Sequence, residues 1–227
     1  MPIGSVKWHA SVWQQLLESI LKIEAGLEDH LPFSFGGGTA LAVHINHRIS
    51  YDIDLFYRSA DVFDYYNPNK NPAVKALIAA HHGSWQFPGN YLKLELGPEL
   101  GEIDILISKF MTEAPTTDWP FKHWIVKLET PAEILAKKIR YRSSQFKRRD
   151  VFDLGAIAQL LPAAANQAFA VNLDNLPRLR DRIATMQADY EANVLNDVNP
   201  TTTGQALLQD APQRCLAAID DFLLRGK

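Results

Sequence analysis

Apolar residues between positions 6 and 27 (Val6, Val12, Trp13, Leu16, Leu17, Ile20, Ile23 and Leu27) fall close to a period of 3.6, which predicts an amphipathic helix with a packing role. The pattern then changes. Residues 31–35 are short and apolar and run into three glycines, so they read as a first strand followed by a turn. Thr39 and the ALAVHI run after it predict a helix with Thr39 as its N-cap. Residues 51–57, YDIDLFY, alternate with period two, which predicts a strand with Asp52 and Asp54 on one face and Ile53 and Leu55 on the other. Residues 61–71 read as a loop and residues 72–82 as a helix entered through Pro72. His81 and His82 at its end point in different directions and read as exposed capping residues rather than a ligand pair.

The next two alternating runs, residues 91–96 and 102–108, are joined by GPELG and predict a hairpin. In the second, Ile103, Ile105 and Ile107 share one face while Glu102 and Asp104 share the other with Leu106. After a Thr/Pro-rich loop, residues 121–128 predict an edge strand. Thr130, Pro131 and Glu133 then predict a capped helix with a capping box, in which Lys138 shares a stripe with Ile134, Tyr141 and Arg142 while Lys137 and Arg140 turn away. A helix over residues 146–161 places Asp150, Asp153, Leu154 and Ile157 in one sector. The remainder is helical and alanine-rich, broken at residues 196–204, with a final helix over residues 205–224.

Composition narrows the class. The 227 residues are 47% hydrophobic and 22% charged, ordinary for a globular chain able to bury a sizeable core. No apolar run is long enough to span a bilayer, the N-terminal stretch lacks the apolar core of a secretory signal, and Cys215 is the only cysteine. These features predict a cytoplasmic protein without membrane association and with no internal disulfide. The net charge is −3, yet the stretch from Lys137 to Arg149 holds seven basic residues and no acidic one. Such an island reads either as two solvated helix faces or as a local site for an anionic partner.

The chemistry gathers at residues 35–56. Glycines 36–38 permit a sharp turn and a close backbone approach, and the following helix offers free amides to phosphate. Two carboxylates ~4 Å apart repel by ~4 kcal/mol at an effective dielectric of ~20, so Asp52 and Asp54 aimed at one point call for a cation or a shared proton. Hard oxygen donors select Mg²⁺. Asp104, a charge inside an apolar strand, calls for a partner in turn. Asp150 and Asp153 either accept hydrogen bonds from Lys138, Arg142 or Arg149 in a buried network or help to hold substrate.

Jointly, GGTAL (37–41), HRISYDIDLF (47–56), the Asp104 strand, EILAKKI (133–139) and RRDVFDL (148–154) resemble the AbiEii/AbiGii toxin family of nucleotidyltransferases, within the polymerase β-like superfamily. The resemblance implies an α/β fold of α+β type: a nucleotidyltransferase core over residues 1–128, with a mixed sheet flanked by helices, and a helical C-terminal region over residues 129–227 that contributes to the active site. It implies transfer of a nucleotide from an NTP, with Gly37, Gly38 and Thr39 holding the triphosphate and Arg48 and Ser50 positioning phosphate. On the same basis Asp52, Asp54 and Asp104 would bind Mg²⁺ as a two-metal site, Lys138 would neutralise phosphate charge, and Asp150 with Asp153 would complete the last motif. Arg140, Arg142, Lys147 and Arg148 become candidates for steering an RNA acceptor such as tRNA, and a cognate antitoxin becomes a candidate partner. The competing expectation is a nucleotide-, RNA- or antitoxin-binding module that keeps the fold without turnover. One departure from the family pattern is the extra glycine, Gly36.

Overall fold

The computed structural model describes residues 10–26, 31–97 and 100–225. Helix α1 (Ala10–Ala25) buries Trp13, Leu16, Leu17 and Ile20, a run spaced i, i+3, i+4 and i+7. Each such side chain contributes about 1.5–3 kcal/mol when fully buried. The expected helix limits at Val6 and Leu27 lie outside the described residues. Strand β1 (Ser34–Gly36) is shorter than predicted, and α2 (Gly37–Ile45) starts within the glycines. Thr39 is therefore not the N-cap: it is the third helical residue, fully buried, and Gly36 occupies the cap.

Strand β2 (Ile53–Tyr57) begins after Asp52. The predicted loop contains a short helix, α3 (Val62–Tyr66), followed by α4 (Pro72–Ala80) and a short strand, β3 (Ser84–Gln86), that the alternation did not signal. Strands β4 (Tyr91–Glu95) and β5 (Glu102–Ile107) form the expected antiparallel hairpin. The Thr/Pro-rich stretch is strand β6 (Thr116–Phe121), paired antiparallel with β7 (Trp124–Glu129). The edge strand is thus β6, and β7 lies inside the sheet. Pro120 lacks an amide donor and is tolerated because β6 has a neighbour on one side only.

The seven strands run in the order β3-β4-β5-β2-β1-β7-β6. β2 with β5 and β1 with β7 are parallel and the other pairs antiparallel, so the sheet is mixed. Its back face is apolar: Phe35, Ile53, Leu55, Tyr57, Ile103, Ile105, Leu92, Leu94 and Leu128 are buried, and Trp13 of α1 stacks against Phe35, Trp119 and Phe121. Ile107, at the end of β5, is exposed rather than part of that face. The other face carries Lys93, Asp54, Asp104, Phe56 and Leu106, and a cleft opens above it.

Helix α5 (Pro131–Arg142) is capped by Thr130, whose hydroxyl accepts from the Glu133 amide. Glu133 does not complete a capping box. Its carboxylate instead accepts from the backbone amides of Met111 and Thr112 and the Thr112 hydroxyl, satisfying loop donors that have no strand partner. Helix α6 (Arg148–Leu160) follows, then α7 (Pro162–Ala170), α8 (Leu176–Thr185), α9 (Gln187–Asp197), α10 (Thr202–Leu208) and α11 (Ala211–Arg225). The expected final helix is therefore two, α10 and α11. α11 packs on α6, where Ala211 leaves room for Gly155 only because that residue lacks a Cβ. Cys215 is buried there, its thiol pushed up by burial. Among the described residues no helix is long and apolar enough to cross a membrane.

Candidate active site

A cleft of about 980 Å³ lies between the polar face of the sheet and helices α5 and α6, within the range typical of small-molecule sites. Its floor is set by strand register. Asp54 on β2 stands directly opposite Asp104 on β5, and Phe56 opposite Leu106. Asp52, just before β2, completes the row of carboxylates lining the cleft. Burial raises the Asp54 carboxyl, and Asp52 adds to the rise. Burial and then Asp54 push Asp104 up to about 7.

The glycine turn is built against these carboxylates. Gly37 has φ +70, and a Cβ there would overlap the Asp54 carboxylate; one on Gly38 would overlap the Arg48 guanidinium. Glycine is therefore required twice, for backbone conformation and for contact. Gly36, the additional glycine, has its own reason: a Cβ on it would overlap Glu129 and the Phe56 ring. Ser50 sits beside Gly38 in the cleft lining, whereas Thr39 faces the interior, where its hydroxyl has no hydrogen-bond partner among the described residues.

Opposite the carboxylates runs a connected ion-pair network. Arg48 donates through Nε (2.6 Å) and Nη2 (3.0 Å) to Asp153. Lys138 Nζ lies 2.8 Å from Asp153 Oδ2, the oxygen that also accepts from Arg48 Nη2, and 2.6 Å from Asp150, and Arg142 Nη1 is 3.7 Å from Asp150. His47 Nε2 adds a 2.7 Å hydrogen bond to Asp153. Burial would raise both carboxyls, but Arg48 and Lys138 hold Asp153 well below the usual carboxylate range, and Lys138 and Arg142 hold Asp150 down. Asp150 also accepts from the Lys147 amide at the start of α6. Of the two readings left open for Asp150 and Asp153, the buried network is the observed arrangement. Lys138 is consumed within it.

Lys137 does not turn away. It points into the cleft, 2.5 Å from Glu129 and 3.8 Å from the centre of the Phe56 ring, because Glu129 at the end of β7 offers a buried counter-charge. Glu129 also accepts from Ser34 at 2.6 Å. Arg140 and Lys147 are exposed outside the cleft, and Arg148 is tied to Asp189 and Asp197 on α9. Of the four basic residues considered for an acceptor, only Arg142 lines the cleft; Arg149, not among them, does so as well. Lys93, Glu129 and Lys137 were also missed. Lys93 was within reach of the sequence: the hairpin register that sets β4 against β5 places it opposite Asp104, 3.7 Å away.

The donors present suit a divalent cation. They are hard oxygens, and Asp104 Oδ1 is buried without a hydrogen-bond donor among the described residues. The side chains alone do not close a ligand set: among the described residues no group of three His, Cys, Asp or Glu converges enough to hold a metal ion. Oxygens from a bound phosphate would have to complete the shell, as is usual for Mg²⁺.

The sheet order, with a glycine turn and a carboxylate row on the floor of the cleft, puts the molecule in the nucleotidyltransferase fold class. JHP933 from Helicobacter pylori has the same fold, with a TM-score of 0.54 at 17% identity over 97% of this chain and 94% of its own. Likenesses at lower TM-score are ANT(2″)-Ia in complex with adenylyl-2″-tobramycin (0.49; 14% identity; 73% and 97% covered) and an antigenic nucleotidyltransferase-like protein from Paracoccidioides brasiliensis (0.45; 17%; 81% and 94%). No curated protein matches the chain. The chain belongs to the AbiEii family, described as nucleotidyl transferase AbiEii toxin of type IV toxin–antitoxin systems, which it matches over residues 20–218.

Proposed function

We propose that the protein transfers a nucleotide from an NTP to an acceptor hydroxyl, with RNA, tRNA in particular, as acceptor and with the role of toxin beside a cognate antitoxin in the cytoplasm. The observation that carries this reading is the register pairing of Asp54 with Asp104, beside Asp52 and the Gly37–Gly38 turn, facing a basic wall. Asp52, Asp54 and Asp104, together with phosphate oxygens, would hold one or two Mg²⁺ ions, which supply charge neutralisation and activation of the attacking oxygen. The backbone of Gly37 and Gly38 and the free amides of α2 receive the triphosphate, helped by Ser50. Arg48, locked by Asp153, fixes the shape of that receiving surface. Asp104 Oδ1, which accepts no hydrogen bond among the described residues, takes the proton of the acceptor hydroxyl. The new bond forms between the acceptor oxygen and the α-phosphorus as the bond to the β-phosphate breaks and pyrophosphate leaves. Positioning and charge placement do most of the work in such a transfer.

The test is incubation with each labelled NTP, Mg²⁺ and total tRNA, comparing wild type with Asp54→Ala. Label is expected on RNA with the wild type only. NTP binding without any transfer, on RNA or protein, would favour the binding-module reading instead.

A further inference from the structure

Among the described residues, the cations that line the cleft divide into two groups. Arg48 and Lys138 are held by Asp150 and Asp153, Lys137 by Glu129, and Lys93 pairs with Glu102 and stands near Asp104. Their charges are answered within the protein. Moving any of them to a ligand would strand a carboxylate that is buried or half-buried, a costly exchange. Arg142 and Arg149 differ. Arg142 is 43% exposed and its single ion pair, to Asp150 at 3.7 Å, is longer than a hydrogen bond; Arg149 is partly exposed and has no hydrogen-bond or ion-pair partner among the described residues. Arg142 closes α5 and Arg149 stands in the first turn of α6, so the bend between these helices presents both from the same wall.

A polyphosphate brings several negative charges into a cleft whose floor is already acidic, and the glycine turn offers it amides but no full charge. Guanidinium groups with free donors suit this task, because their planar fork meets phosphate oxygens in pairs. We propose that Arg142 and Arg149 form the clamp for the phosphates beyond the α-phosphate, binding the leaving pyrophosphate, while Lys138 acts as a positioning residue that organises Asp150, Asp153 and Arg48. This assignment rests on the nucleotidyltransferase reading and names the groups that recognise its substrate. It also moves Arg142 from acceptor steering to the donor nucleotide.

The experiment is calorimetric titration, in Mg²⁺, of NTP, the matching nucleoside monophosphate and inorganic pyrophosphate into wild type, Arg142→Ala, Arg149→Ala and the double variant. Arg140→Ala, which alters an exposed α5 position off the cleft, is the control, and circular dichroism with thermal melts verifies folding. The clamp predicts roughly a ten-fold or greater loss of NTP and pyrophosphate affinity in each single variant and a larger loss in the double, with monophosphate affinity unchanged. Affinities within two-fold of wild type, or equal losses for triphosphate and monophosphate, would overturn it. Wild type that binds no NTP at all would overturn the nucleotidyltransferase reading along with the clamp, so the two failures are told apart by the wild-type titration.

Discussion

Asp104 is held up at about 7, by burial first and by the facing Asp54 next, against 3.8 when unperturbed. The folded chain therefore binds this proton more tightly than the unfolded chain does. Ionising Asp104 costs stability above about pH 7, and the cost is relieved as the pH falls from about 7 to about 4. In metal-free buffer Asp104→Asn is expected to exceed wild type in stability at pH 8 by about 1–3 kcal/mol, with the gain fading towards pH 4. Denaturant titrations across that range check it, and an Asn variant less stable at pH 8 would contradict it. Lys138 makes the opposite case, because it joins two carboxylates with no exposure. Lys138→Met should cost roughly 3–5 kcal/mol, since buried charges left without a partner are strongly destabilising. A shift under about 1 kcal/mol in denaturant unfolding would show that Arg48, His47 and Arg142 suffice. Asp52, Asp54 and the need for glycine at 37 were legible from residue type and spacing. The pairing of Lys138 with Asp150 and Asp153 was legible only as one of two alternatives, and the Glu129 partner of Lys137 was not legible, because helical and strand periods give direction along an element and not the identity of what faces it.

Among the elements, the connection between α9 and α10 does more than cap the molecule. The Ile49 amide donates to the Asn199 carbonyl at 2.8 Å, the Thr201 amide to the His47 carbonyl at 3.2 Å, and the Thr201 hydroxyl to the Asn46 carbonyl at 2.5 Å. Gly204 approaches so closely that a Cβ would overlap the His47 carbonyl. This segment thereby fixes the loop that carries His47, Arg48 and Ser50. Gly204→Ala is expected to lower stability by about 1–3 kcal/mol through overpacking against backbone and to raise KM for NTP more than it lowers kcat. An unchanged KM in a folded variant would argue against this bracing role. The tail was legible as helical but its contact with the 46–50 loop was not, since nothing local marks a glycine as a packing site 157 positions away from its partner. β6 was hidden for a different reason: its proline and threonines carry turn signals that an edge position overrides.

For the whole molecule, a ligand that binds only the folded state must raise its stability by mass action. Mg²⁺ with NTP at about a hundred times its Kd should add about 2.7 kcal/mol, which for a chain of this size is roughly 5–10 °C in thermal midpoint. EDTA should remove the NTP-dependent part, and Asp54→Ala should show little of it. An equal shift in that variant would place the nucleotide away from the carboxylates.

Alternation and turn chemistry in the sequence determined the β2 and β5 strands, the helices α2, α4, α5 and α6 and the concentration of chemistry at residues 35–56, because these depend on neighbours within a few positions. Tertiary structure alone decided which charges are spent and which are available. Arg48 and Asp153 are 105 positions apart, Lys137 and Glu129 meet across an element boundary, and Asp54 faces Asp104 only because two strands far apart in the chain align in register. The cost of leaving a charge unpaired in a buried site is a property of the folded interior, so the pairing that avoids it is written only in three dimensions.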